Sequence, residues 1–205
     1  MLQHLRSAWA RAMRPPAAAL LRLGVTPDAM TWAGTVAVVV VAVLVVPAGW
    51  LWQGALALAV LVLGDGLDGQ MARMSGRSST WGAFLDSTLD RIADGAVLGS
   101  VAVYLALIGQ PWLAGASLWA LIAAQVTSYV KARAESVGLT TAAGLASRAE
   151  RLVILLLALF CEGVGVPYAL AVGVLVLAVL SSITVAQRMR AVHRAAAAVE
   201  DRAAR

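Results

Sequence analysis

Four aspartates crowd one stretch in the first half of the chain: Asp65, Asp68, Asp86 and Asp90, within GDGLDGQMARMSGRSSTWGAFLDSTLD. The first two lie three residues apart and the second two four apart, so on helices each pair projects from a single face. In a membrane helix an aspartate at mid-depth costs about 2.5–3.5 kcal/mol on insertion scales, and four left uncompensated cost on the order of 10 kcal/mol even after discounting for depth. Neighbouring carboxylates also repel one another and take up protons. A divalent cation relieves both penalties. Hard oxygen donors beside a phosphorylated substrate suit Mg²⁺ or Mn²⁺, and four carboxylates are enough for two ions, as in two-metal phosphoryl-transfer sites. The residues alone leave Ca²⁺ open.

The neighbours of these aspartates have two readings each. Gly69 and Gly82 serve either close approach of a substrate or close packing of helices, and Gly66 reads as packing. Arg73, one turn beyond Asp68, could grip a diphosphate, although any arginine there would also mark a cytoplasmic edge. Asp94, four residues after Asp90, could extend the acidic face or serve as a structural partner for a nearby basic group.

The elements that must position these groups are membrane helices. Of 205 residues 61% are apolar and 13% charged, more apolar surface than a soluble domain of this size can bury. The chain is expected to be all-α and polytopic, with six transmembrane helices at roughly 30–47, 51–72, 82–108, 112–134, 150–163 and 166–187. The breaks PAGW, GQPW and CEGVGVP contain no lysine or arginine, and all sixteen basic residues lie elsewhere, so both termini are expected on the cytoplasmic side of the cell membrane. Trp50, Trp52 and Trp112 fall at one interface and Trp32 and Trp81 near the other. The net charge of +5 then contacts anionic lipid rather than nucleic acid.

Ahead of the first span, Leu2, Leu5, Trp9 and Met13 recur at helical spacing opposite Arg6, Arg11 and Arg14, as in an amphipathic juxtamembrane helix. Pro15 and Pro16 are expected to end it, and a second short helix, AALLRLG, to close at Gly24. Thr26-Pro27-Asp28 then offers an N-cap, a first-position proline and an acid in the first turn. No cleavable signal is expected in the N-terminal stretch. The whole reads as one domain: a juxtamembrane segment over 1–25, a six-helix core over 26–190 and a cytoplasmic tail over 191–205. Cys161 is the only cysteine, so no internal disulfide forms, and His4 and His193 carry no chemistry in this reading.

The spacing D-x2-D-G-x2-A-R-x8-G-x3-D-x3-D, from Asp65 to Asp90, resembles the signature of the CDP-alcohol phosphotransferase family at all eight fixed positions. That resemblance implies a six-helix fold, usually a homodimer, with a site near the cytosolic interface and a CDP-linked lipid as donor. It implies Asp65, Asp68 and Asp86 as metal ligands, Asp90 as ligand or catalytic base, and Gly69, Ala72, Arg73 and Gly82 as the lining of the nucleotide pocket. Residues and resemblance converge on one chemistry. Metal ions draw charge from the diphosphate and make CMP a better leaving group, while Asp90 accepts the proton of the attacking hydroxyl.

The alcohol must be read elsewhere. In SYVKARAESVGLTTAAGLASRAERL, Lys131, Arg133, Arg148 and Arg151 flank a break, and Gln187-Arg188 closes the last span. Each alone could be a solvated positive face; together they could bind a dianionic phosphate. LLRLGVTPD, SYVKARAE, RAERL and VAQR are similar to segments of the actinobacterial phosphatidylinositol phosphate synthases, which implies CDP-diacylglycerol as donor and inositol 1-phosphate as acceptor. Ser128, Lys131, Arg133, Arg151 and Arg188 are the candidates for acceptor binding, and phosphatidylglycerophosphate synthase, with glycerol 3-phosphate, is the nearest rival. Two readings come from other classes. An intramembrane aspartyl protease needs only two aspartates and no metal, and a cation transporter would place its acids nearer the bilayer midplane.

Overall fold

The structure is a computed structural model that describes residues 2–64, 66–76, 79–140 and 144–203, so Asp65, the first of the four motif carboxylates, lies outside the described residues. Among the described residues eight helices follow in chain order: α1 (Leu2–Arg22), α2 (Pro27–Val45), α3 (Leu51–Gly64), α4 (Gly66–Ser75), α5 (Thr80–Leu107), α6 (Pro111–Ser136), α7 (Arg148–Gly163) and α8 (Ala169–Ala203). Among the described residues there is no β-strand. Four stretches are long and apolar enough to cross a membrane: Pro27–Val45, Leu51–Ser75, Pro111–Ser136 and Ala169–Asp201. α5 carries Asp86, Asp90, Arg91 and Asp94 within its first fifteen residues and α7 has only 16 residues, so neither joins them on length and composition.

The surface and the interior are those of a membrane protein. Val36, Val40, Val43, Leu56, Val60, Ile122, Leu157, Val172 and Val179 are exposed, an arrangement that would aggregate in water and is favourable against lipid chains. The interior is rich in small and hydroxylated side chains instead, among them Ala42, Ala55, Ala120, Ala123, Ser117, Thr127, Ser181 and Thr184. Lipid supplies no hydrophobic drive between helices, so close backbone approach does much of the holding, while Thr127 and Thr184 donate to carbonyls of their own helices. Trp32, Trp50, Trp52, Trp81 and Trp112 are all exposed, as interfacial tryptophans should be.

The chain divides into two compact units, residues 1–44 with 56–97, and residues 45–55 with 98–205. In the first, α1 packs on α4. Contrary to expectation, Pro15 and Pro16 do not end α1; both lie inside it, and no second short helix is needed. A proline ring sets φ near the helical value and chiefly costs a donor and some crowding of the preceding turn. Both prolines are exposed, which leaves the deprived carbonyls room to turn outward. The helix closes at Gly24 as expected: with φ at +79° the N–H groups of Gly24 and Val25 turn back to the carbonyls of Leu21 and Leu20, at 3.0 and 3.1 Å. Thr26 then caps α2, its hydroxyl accepting from the Ala29 N–H at 3.2 Å.

In the second unit α8 packs along α6 and α7. Ser117 on α6 donates to the Leu98 carbonyl at 2.9 Å, and Trp119 donates to Ser182 on α8 at 2.9 Å. A Cβ added at Gly173 of α8 would lie 2.4 Å from the Ala158 Cβ of α7, so these two helices approach at a point where only hydrogen fits. Glu162 accepts from the Leu170 N–H at 2.9 Å and ties the end of α7 to the start of α8. α8 does not break at the expected start of the tail but continues helical to Ala203.

Candidate active site

In the first unit the described motif residues lie on α4 and α5, and α2 approaches both, through Thr31 and Asp28. Asp68 on α4 is buried, 9% exposed, and a buried carboxylate demands partners. Thr31, one turn into α2, places its hydroxyl 2.6 Å from Asp68 Oδ2, and the Gly69 N–H donates to Oδ1. A charge-assisted bond of this length fixes α2 against α4 and aims the carboxylate. Arg73, one turn further along α4, donates to the buried Gln70 side chain at 2.9 Å. Its guanidinium lies 3.5 Å from where a Cβ on Gly69 would stand, so the missing side chain leaves the place beside Asp68 to a cation.

α5 brings the second pair. Ser79 caps it, accepting from the Gly82 N–H at 2.9 Å. A Cβ at Gly82 would stand 3.3 Å from that capping oxygen and 3.8 Å from Asp28 Oδ1, so Gly82 faces the start of α2. Asp86 is exposed and Asp90 half-buried, one turn apart on the same helix face. Arg91 reaches both Asp94 at 3.5 Å and Asp90 at 3.8 Å. The buried Asp94 is therefore the partner of a basic group, the structural one of its two readings. Among the described residues no three carboxylates, histidines or cysteines stand together as a complete cation cage, and the fourth motif carboxylate, Asp65, is not one of those residues. The donor set itself, all carboxylate oxygen with Asp68 already oriented, fits a hard divalent ion.

Sequence reasoning missed Thr31, Gln70 and the approach of Asp28 to Gly82. TPD read only as helix initiation, and a lone threonine in a membrane span carries no periodic signal. Its one clue was position: it follows Pro27 by four residues, inside the first turns of a helix that opens with an acid.

In the second unit two of the five acceptor candidates meet at one loop. Arg151 is buried and donates to the Ala146 carbonyl at 2.9 Å, and Thr184 on α8 accepts from the Ala146 N–H at 3.3 Å. Arg188, one turn beyond Thr184, donates to the Thr127 carbonyl of α6 at 2.7 Å. The Arg188 Nε is 3.5 Å from where a Gly144 Cβ would be, so both guanidinium groups border residues 144–147. Gly144 has to be glycine there: its φ is +150° and a Cβ would press on Thr184 at 2.8 Å. Ser128 is adjacent to the carbonyl that holds Arg188 and bonds back to the Ala124 carbonyl at 3.4 Å. Lys131 lies one turn beyond Thr127 on the same face, exposed and 3.8 Å from Glu135. Arg133 does not join them; it is exposed, donates to Ser136 at 3.2 Å, and stands about 160° around the helix from Lys131.

Comparison with known proteins finds relatives along nearly the whole chain. A protein of Cutibacterium acnes named phosphatidylinositol phosphate synthase is 46% identical over 205 residues, covering 95% of this chain and 99% of its own. The crystal structure of Mycobacterium tuberculosis phosphatidylinositol phosphate synthase with CDP-DAG bound superposes with a TM-score of 0.84 at 44% identity, covering 89% of this chain and 94% of the other. The same enzyme in complex with manganese and citrate gives a TM-score of 0.85 at 43% identity, covering 88% of each chain. The pattern described as CDP-alcohol phosphatidyltransferase matches residues 24–197, from the glycine that closes α1 to the far part of α8 and across every motif position. A buried, oriented aspartate on α4, a second acidic pair on α5 and that match lead to one conclusion: the chain belongs to the CDP-alcohol phosphatidyltransferase family.

Proposed function

We propose that this chain transfers the phosphatidyl group of CDP-diacylglycerol to inositol 1-phosphate and releases CMP. The observation that carries this reading is the end-to-end identity, 46% over 95% of the chain, with a protein named for that synthesis. The mycobacterial structures, one holding CDP-DAG and one holding manganese and citrate, support a CDP-lipid donor and a divalent metal here. In this reading Asp65, Asp68, Asp86 and Asp90 hold Mg²⁺ or Mn²⁺, with oxygen donors enough for two ions, and the metal supplies charge neutralisation of the diphosphate. Gly69, Ala72, Arg73 and Gly82 serve the CDP group. Ser128, Lys131, Arg151 and Arg188 serve the acceptor phosphate, and Arg133, turned to Ser136, does not. The acceptor hydroxyl gives its proton to Asp90 as its oxygen forms a bond to the phosphatidyl phosphorus, and the bond from that phosphorus to the bridging oxygen of CMP breaks.

The same reading takes α5 and α7 as crossings in addition to the four apolar stretches, giving six spans in the cytoplasmic membrane with both termini inside. Three arginine-free and lysine-free breaks support it. α1 lies along the membrane surface as the juxtamembrane part of residues 1–25, residues 26–190 form one catalytic domain, 191–205 form the tail, and the working unit is a homodimer. The decisive assay supplies purified protein with CDP-diacylglycerol and, in parallel, inositol 1-phosphate, glycerol 3-phosphate or free inositol, each with and without EDTA. Inositol 1-phosphate is expected to be turned over fastest, with turnover lost in EDTA. Preference for glycerol 3-phosphate overturns the acceptor, and full turnover after rigorous metal removal overturns the aspartate site.

A further inference from the structure

Past Arg188, α8 keeps a basic side that neither the aspartate motif nor the acceptor candidates use. Gln187, Arg190, Ala191 and Arg194 recur at helical spacing along one stripe, and with Gly144 and Leu145 they line a groove of about 650 Å³. This stripe is centred about 100° around the helix from Arg188, whose guanidinium is committed to the Thr127 carbonyl. Among the described residues its lining has two guanidinium groups and no carboxylate. Among the described residues no acid forms an ion pair with either arginine.

Two like charges one turn apart repel, which a merely solvated face can tolerate, but here they share a concavity with an exposed apolar wall at Leu145. Its volume falls within the roughly 300–1,000 Å³ of small-ligand sites. The groove begins where the apolar run of α8 gives way to charge, the level at which lipid phosphates stand. Paired guanidinium forks match phosphate oxygens in geometry and charge. From this geometry we infer that the groove is a second anion site, taking a phosphate ester carried on a lipid headgroup or free in solution, apart from the acceptor cluster.

The test is calorimetric titration of the full chain in neutral detergent with EDTA present, which silences the carboxylate site. Dihexanoyl phosphatidic acid and inorganic phosphate serve as separate probes. Saturable binding is expected to weaken tenfold or more in R190Q/R194Q and to persist in R190K/R194K, which keeps the charge. Phosphatidic acid binding without phosphate binding assigns the site to lipid; equal binding of both assigns it to soluble phosphate esters. Unchanged binding in R190Q/R194Q with loss in Arg188→Gln overturns the inference, because the anion then sits in the acceptor cluster. Equal loss in the lysine variant with a lowered melting temperature overturns it as well, because the arginines are then structural.

Discussion

Asp90 and Thr31 show how differently two polar groups in one site can act. Asp90→Asn should leave the chain folded and still binding CDP-diacylglycerol while abolishing transfer, since the amide keeps the shape but takes no proton. Near-normal turnover in that variant removes the base role. Thr31 works through Asp68. Thr31→Val deletes the hydroxyl 2.6 Å from a buried carboxylate, and losing a bond to a charged group costs about 1.5–3 kcal/mol. The expected result is a lower melting temperature and weaker Mn²⁺ binding by titration, with both restored in Thr31→Ser; a wild-type metal affinity in the valine variant would separate Thr31 from the metal site. For the acceptor cluster, Lys131→Ala is the cleaner probe because Lys131 is exposed whereas Arg151 is buried and braces Ala146. It should raise the KM for the acceptor more than that for the donor. The aspartates were legible in the sequence because carboxylates in an apolar run have no bland explanation. Thr31 was not, because a hydroxyl can satisfy itself on its own helix and so gives no sign of an outside partner.

At the level of elements, the ends read from the sequence are Gly24, which closes α1, and Thr26-Pro27-Asp28, which opens α2. The Ser147 and Glu150 capping box at α7 and the glycine after α6 are marks of the same kind that went unread. Pro15 and Pro16 misled because their rings hold φ near the helical value, and the lost donors do not outweigh the rest of the helix. The separation of Arg133 from Lys131 was open to helical arithmetic but masked by their nearness in sequence. The contact of α7 with α8 supplies a sharp prediction. Gly173→Ala pushes a methyl into Ala158, an overpacking cost of about 1–3 kcal/mol, whereas Gly99→Ala enters open space and gains up to about 1 kcal/mol of helix preference. Thermal unfolding in detergent should lower the melting temperature of the first and leave that of the second unchanged or raised. A neutral Gly173→Ala would mean that the two helices do not meet as described.

For the whole molecule, the open question of spans has a parity answer. Between Trp112 and Ala197 the six-span reading places three crossings, α6, α7 and α8, whereas α6 and α8 alone make two. In a Cys161→Ser background, Trp112→Cys should react with a membrane-impermeant maleimide on intact cells, and Ala197→Cys only after the membrane is opened. Labelling of both from one side would reject α7 as a crossing. Composition made the membrane character plain, but it could not rank α7 or α5 among the spans, because α7 has only 16 residues and the charged side chains of α5 lower its hydropathy. The length of α8 has a practical corollary. Its 35 residues extend about 50 Å, against roughly 30 Å of hydrocarbon, so some 20 Å of unbroken rod projects beyond the lipid. A rigid helical fiducial grafted in register onto that rod would inherit its orientation, giving so small an enzyme a landmark for image alignment in electron microscopy.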